Sequence, residues 1–200
     1  MDDFGAVLAR RTCQYRKRER AKLTANSLWL GREAVVSYLR LLEGRAARSP
    51  LHDLVASALG REAQSVTEVI GWLHGEGSPV SRVANLAPLV SRAADAGDRL
   101  AVDILCRAAE ALADLAASAA HQLWPRTTPE SLAVACCGGV WAAGAHLRRP
   151  FESALAQRLP GSISSPPVLP PVAGAVVLAM DGATAPLPDA VLVTLKRAFA

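Results

Sequence analysis

Aromatic residues are scarce in this 200-residue chain, at 4% of positions, so any core has to be built mainly from Ala, Leu and Val, which suits close-packed helices. Zinc-type CxxC spacing is missing. The four cysteines are Cys13, Cys106 and the neighbours Cys136 and Cys137, and adjacent cysteines lie too close for ordinary bridge geometry. That pattern reads as a reduced, cytoplasmic protein. No apolar run approaches the roughly 20 residues of a membrane helix, the longest late one being Val172 to Met180, and no secretory signal is visible, so no membrane partner is expected. HExxH, GxSxG and GxxxxGK[ST] do not occur, which leaves zinc-protease, serine-hydrolase and P-loop readings without support.

What is present is a body that is 51% hydrophobic and 20% charged, enough to bury a core. The net charge of +4 sits entirely in residues 1–22, which hold seven basic and three acidic groups; the remainder is balanced at 15 of each sign. A nucleic-acid-binding domain carries its charge on a folded face. Residues 1–26 are therefore expected to be a basic, disordered leader, and no nucleic-acid partner is expected. From Ser27 a helical period begins with Leu28, Val35, Leu39 and Leu42 on one face, ending near Gly44. Ser49–Pro50 caps and opens a second helix closed by Gly60, and a third is expected over Glu62 to His74 with Val66, Ile70 and Leu73 inward. Ser78–Pro79 opens a segment whose apolar side is Val83, Leu86, Ala87, Val90 and Ala94, with Pro88 kinking it or marking its true start. Asp98 caps the longest helix, to about Gln122, with Asp103, Arg107, Glu110 and Asp114 on its polar face and an Asp103–Arg107 pair at i,i+4.

After Trp124–Pro125 the pattern changes. Leu132 to Cys137 is a short apolar run bounded by Pro129 and by Gly138–Gly139, which fits a strand buried on both faces. Helical segments are expected at 141–148 and 150–158, then a Pro- and Ser-rich stretch from Pro160 to Pro171, an apolar helix over Val172–Met180 and an amphipathic helix over Asp189–Phe199. The glycine pair is the best local site, because a backbone without Cβ lets a ligand approach and ligands collect at the carboxyl ends of strands in open α/β sheets. A wall of a nucleotide pocket and an ordinary Gly–Gly turn both fit it. The small-residue segment Pro171 to Ala175 reads better as core than as site. His52, His74, His121 and His146 are far apart and are expected on helix surfaces or boundaries. Cys136 and Cys137 read better as apolar filler than as a soft-metal or redox pair.

Four phrases in order carry a resemblance: Trp29–Leu30–Gly31–Arg32–Glu33–Ala34; Leu86–Ala87–Pro88–Leu89–Val90 with Ala96–Gly97–Asp98; Cys137–Gly138–Gly139–Val140–Trp141; and Pro171 to Ala179. Together they resemble the C-terminal half of BadF/BadG/BcrA/BcrD-type ATPases and N-acetylglucosamine kinases, over residues 27–182. The resemblance implies an actin-like (RNase-H-like) ATPase architecture, here a helix-rich α/β C-terminal lobe with a helical insertion over Ser78 to Gln122, followed by a C-terminal amphipathic helix within 183–200. It implies an ATP-dependent sugar kinase, with ATP (and Mg in the complete family enzyme) as cofactor and an amino sugar as acceptor. Gly138 and Gly139 match the glycine turn against the adenosine, Val140 and Trp141 follow and support it, and the start of the insertion is expected to touch the base.

The family's glycine-rich phosphate hairpin, its second phosphate turn and its catalytic Asp have no counterpart here, and Leu23–Thr24–Ala25–Asn26 stands where the family has an acidic sugar-contacting stretch. The expectation is an inactive fragment truncated at its front, with no catalytic residue, no metal ligand and an apolar interface left exposed. A non-catalytic nucleotide-binding module, or half of a split kinase, is the alternative, and homodimerisation is left open. A dehydratase-activating ATPase ranks last, since Cys136 and Cys137 are misplaced for its iron–sulfur cluster.

Overall fold

The computed structural model describes residues 27–60, 64–75, 77–125, 131–181 and 189–198. The basic leader, the expected start of the third helix at Glu62, and Phe199 lie outside the described residues. Within them the protein is helix-rich α/β. The elements run α1 (Ser27–Leu42), α2 (Pro50–Leu59), α3 (Val66–His74), α4 (Pro79–Ala84), α5 (Ala87–Asp95), α6 (Arg99–Leu123), β1 (Leu132–Ala135), α7 (Ala145–Arg158), β2 (Ser162–Ser165), α8 (Pro171–Asp181) and α9 (Asp189–Ala198).

Local chemistry sets most helix starts. The Ser65 side chain accepts from the Glu68 N–H at the head of α3, and Ser78 accepts from the Ser81 N–H at the head of α4. At α2 the reciprocal bond comes from an unexpected residue: His52 Nδ1 accepts the Ser49 N–H at 3.0 Å. His52 thus sits at a helix boundary, one of the two placements expected of the histidines, but is drawn inside, 1% exposed. Asp98 serves two helices at once. Its Oδ1 accepts from the Leu100 N–H at 2.9 Å, capping α6, while Oδ2 accepts from the Leu51 N–H at 2.7 Å, pinning the first turn of α2. A buried carboxylate with two backbone donors is a satisfied group, and it locks two elements 47 residues apart.

The core lies along α6. Ala101, Ala108, Ala109, Ala113 and Ala117 form a small-residue seam flanked by Ile104 and Leu105, and α7 closes on it through Leu147, Phe151, Ala154 and Leu155. Alanine on one helix lets the larger side chains of the next come close, which is how a core poor in aromatics reaches native density. The polar face of α6 is as expected: Arg107 donates to Asp103 at 3.0 Å and reaches Glu33 of α1 at 3.0 Å. Asp114 receives Arg158 of α7 at 2.5 Å.

Of the two readings of Pro88, the structure shows the start: α4 and α5 are separate, and Pro88 lies in the first turn of α5, where no N–H is needed. Several other expectations are corrected. In α3 the buried residue is Val69; Val66 and Leu73 are half-buried as expected, while Ile70, expected inward, is 46% exposed. The two segments expected at 141–148 and 150–158 are a 3₁₀ turn over Gly139–Ala143 followed by one helix that carries Pro150 inside it. The strand β1 is not buried on both faces. Leu132 and Val134 are half-buried against the core while Ala133 and Ala135 are exposed, because only one face of this sheet is covered. Its partner β2 lies in the Pro- and Ser-rich stretch, to which the sequence assigns no element. The two pair in parallel, Leu132 opposite Ser162 through Ala135 opposite Ser165, and the ladder extends through the Cys136 N–H to the Ser165 carbonyl at 2.8 Å. Finally, α8 is not core: Ala173 is buried, but Val172 is 60% and Val176 42% exposed.

Candidate functional site

The polypeptide leaves β1 through Cys136 and Cys137 and turns at Gly138. Here φ is 106°, a conformation open to glycine and strained for any L side chain. A Cβ built at Gly138 or at Gly139 meets no atom within 4 Å, so the glycines are not required by packing; both are exposed and present bare backbone. The 3₁₀ turn begins immediately afterwards and is closed by the Trp141 N–H to the Gly138 carbonyl at 3.3 Å. Trp141 turns back onto the body of the protein. Its ring meets Phe151 of α7 edge-on with centroids 4.9 Å apart, and the Arg148 guanidinium lies 5.6 Å from its centroid. Trp141 therefore anchors the glycine turn to α7.

Gly139 and Val140 open onto a cleft of about 270 Å³. Its apolar lining is Leu30 of α1, Ala87 and Pro88 of α5, and Val140, Ala142 and Ala143 of the turn. Its polar side chains come from α1 and α5: Ser27, Ser91, Arg92 and Asp95. The cleft thus lies between the glycine turn on one side and the helical segment beginning at Ala87 on the other, two regions far apart in sequence. Of the four residues singled out from sequence, Gly139 and Val140 line it, Gly138 shapes the turn that delivers them, and Trp141 braces the turn from behind. Sequence reasoning did not find Ser27, Ser91, Arg92 or Asp95. Each sits in an ordinary amphipathic helix, and only tertiary packing brings them together.

At the rim, His146 Nε2 of α7 lies 3.4 Å from Asp95 Oδ1. The two cysteines after β1 take no part in the cleft. Cys136 is buried, and burial pushes its thiol pKa up, away from the thiolate that a metal or nucleophilic role needs; Cys137 is exposed. Among the described residues no group of three or more His, Cys, Asp or Glu is placed to hold a metal ion, and no helix is long and apolar enough to cross a membrane.

No family model matches the chain, and no curated protein matches it. Among solved structures, it is similar to a Chromobacterium violaceum protein named "Putative N-acetylglucosamine Kinase", with 31% sequence identity and a TM-score of 0.49. The match covers 70% of this chain and 42% of that one, so the chain spans less than half the length of the protein it matches.

Proposed function

We propose that this chain is the adenosine-gripping portion of an ATP-dependent sugar kinase of N-acetylglucosamine kinase type. The observation that carries the reading is the glycine pair. Gly138 and Gly139 follow the carboxyl end of a parallel strand and have open space where a Cβ would be, and Gly139 gives directly onto a cleft. That is where open α/β sheets gather nucleotides, and backbone freed of side chains is what a base or ribose needs for close approach. The order of the four sequence phrases points the same way.

The cleft's chemistry fits the nucleoside end of the ligand. Its volume of about 270 Å³ falls just short of the roughly 300–1,000 Å³ that encloses a drug-sized molecule. It can take a base and part of a ribose, leaving the phosphates outside. Alanine, proline, valine and leucine surfaces suit the faces of a planar ring, and a few polar groups suffice to orient it. Gly138, Gly139 and Val140 form the adenosine side in this reading, with Trp141 holding the turn in place. ATP contributes the phosphoryl group to be transferred when bound, and Mg accompanies it in the complete family enzyme. The described residues contain neither a phosphate-cradling turn nor a converging set of acids beside the cleft. Phosphoryl transfer depends on positioning and charge stabilisation at the moving phosphate. The cleft as built binds without transferring. The amino sugar acceptor belongs to the same proposal and rests on the resemblance alone.

Calorimetric titration of the chain with ADP tests the reading. The expected result is saturable binding that Gly139→Val weakens at least tenfold, because the new side chain fills the approach path, while melting temperature stays unchanged. Absence of binding, or affinity indifferent to Gly139→Val, overturns it. Phosphorylation of N-acetylglucosamine by the purified chain with MgATP would overturn the non-catalytic part.

A further inference from the structure

The most distinctive polar feature of the cleft is Asp95, which the glycine argument leaves unused. We propose that Asp95 selects the base, accepting a hydrogen bond from the 6-amino group of adenine and disfavouring purines that carry a 6-oxo group. This rests on the nucleotide reading above and adds a specificity-determining residue to it.

The donor and acceptor inventory of the cleft gives the direction. Ser27 and Ser91 can donate or accept, and Arg92 can only donate. Ionised Asp95 can only accept, and it is the one lining side chain with that property. A ligand atom that meets it has to bring a proton. Position reinforces chemistry: Asp95 is the last residue of α5, so it sits at the negative pole of the helix. His146 Nε2 lies 3.4 Å from Oδ1 at the rim, so a ligand would meet the carboxylate through Oδ2. Leu30, Ala87, Pro88 and Val140 supply the apolar walls between which a flat ring would present its edge to Asp95. Adenine offers N–H at position 6, where hypoxanthine and guanine carry a carbonyl oxygen; their N1–H lies one position further along the ring edge, so the discrimination belongs to a base seated with position 6 at the carboxylate. The discrimination is moderated by solvent, since the Asp95 side chain is 71% exposed.

The test is a set of calorimetric titrations with ADP, IDP and GDP on the wild-type chain, Asp95→Asn and Asp95→Ser, with thermal melts as a folding check. The wild-type chain is expected to bind ADP about tenfold more tightly than IDP, as for one hydrogen bond to a charged group. Asp95→Asn should bring that ratio close to one, because the carboxamide can donate to a 6-oxo group, and Asp95→Ser should lower it too. An ADP-to-IDP ratio that both variants leave unchanged overturns the assignment while the nucleotide cleft stands. GDP or IDP binding more tightly than ADP to the wild-type chain overturns it as well. No binding of any of the three removes the nucleotide reading and this inference together.

Discussion

His52 shows how one side chain can take on a structural duty that its type does not announce. It sits at the third position of α2, accepts the Ser49 N–H through Nδ1, and lies with its ring centroid 6.4 Å from that of Tyr38. Accepting at Nδ1 requires an unprotonated nitrogen. Burial, the largest influence, pushes the pKa below its ordinary 6.5; the backbone at Ser37 and the charges of Asp98 and Asp53 oppose the shift, and Arg48 adds to it. The folded protein therefore holds fewer protons at this site than the unfolded chain. The sign follows: the stability contributed by neutral His52 is complete above the unfolded value near 6.5 and is lost as pH falls from there through the folded value. Urea denaturation at a series of pH values from about 7.5 down to about 5 should show stability falling on the acid side. In His52→Leu, which is less stable throughout because Ser49 loses its acceptor, the fall should be shallower. Equal slopes for the two proteins would refute this account.

Between elements, the tightest crossing is made by a glycine inside a helix. Gly31 of α1 faces the carbonyl of Val83 at the end of α4, and a Cβ at position 31 would overlap that carbonyl oxygen and carbon. The obstacle is backbone, which cannot swing aside as a side chain can. Gly31→Ala gains helix propensity, worth about 1 kcal/mol, yet it has to push α4 away from α1 and disturb Val83 and Leu86 in the core. Overpacking of this kind costs about 1–3 kcal/mol, occasionally more, so a net loss of about 1 kcal/mol in urea unfolding is expected. Gly71→Ala in α3, where the added methyl meets nothing within 4 Å, should instead stabilise slightly. If Gly31→Ala unfolds at the wild-type urea concentration, the crossing is looser than described. This scale also shows what the sequence conveys. Helices with a cap and a period of 3.6 were legible, because Ser78, Asp98 and the Val83–Ala94 stripe are local signals. The strand β2 was not, since Ser162–Ile163–Ser164–Ser165 has no apolar alternation and gains its identity only by pairing with β1, about 30 residues earlier. The candidate site divides in the same way. Its glycine turn is a local feature, whereas Ser91, Arg92 and Asp95 become cleft residues only once α5 packs against that turn.

Across the whole molecule, apolar character and burial part company after β2. An all-apolar helix is expected inside a protein, and α8 was read that way, yet Val172 and Val176, one turn apart on the same side, are well exposed, as are Val168 and Ile163. Parallel sheets are ordinarily covered on both faces; this one has two strands among the described residues, with Ala133, Ala135 and Ile163 facing outward. Exposed apolar residues that are unneeded for the fold can be replaced without cost, whereas the same residues in a hidden core cannot. The double variant Val172→Glu/Val176→Lys places an i,i+4 pair in its favourable order. The variant is expected to keep its melting temperature within about 2 °C, as surface substitutions within about 0.5 kcal/mol do. It should also bind less of the apolar dye ANS and elute with a larger monomer fraction in light-scattering chromatography, because less apolar surface is left to associate. A drop of many degrees in melting temperature would mean that Val172 and Val176 are core residues after all. α8 would then have to pack inward, and the covered side of the sheet would be larger than the structure describes.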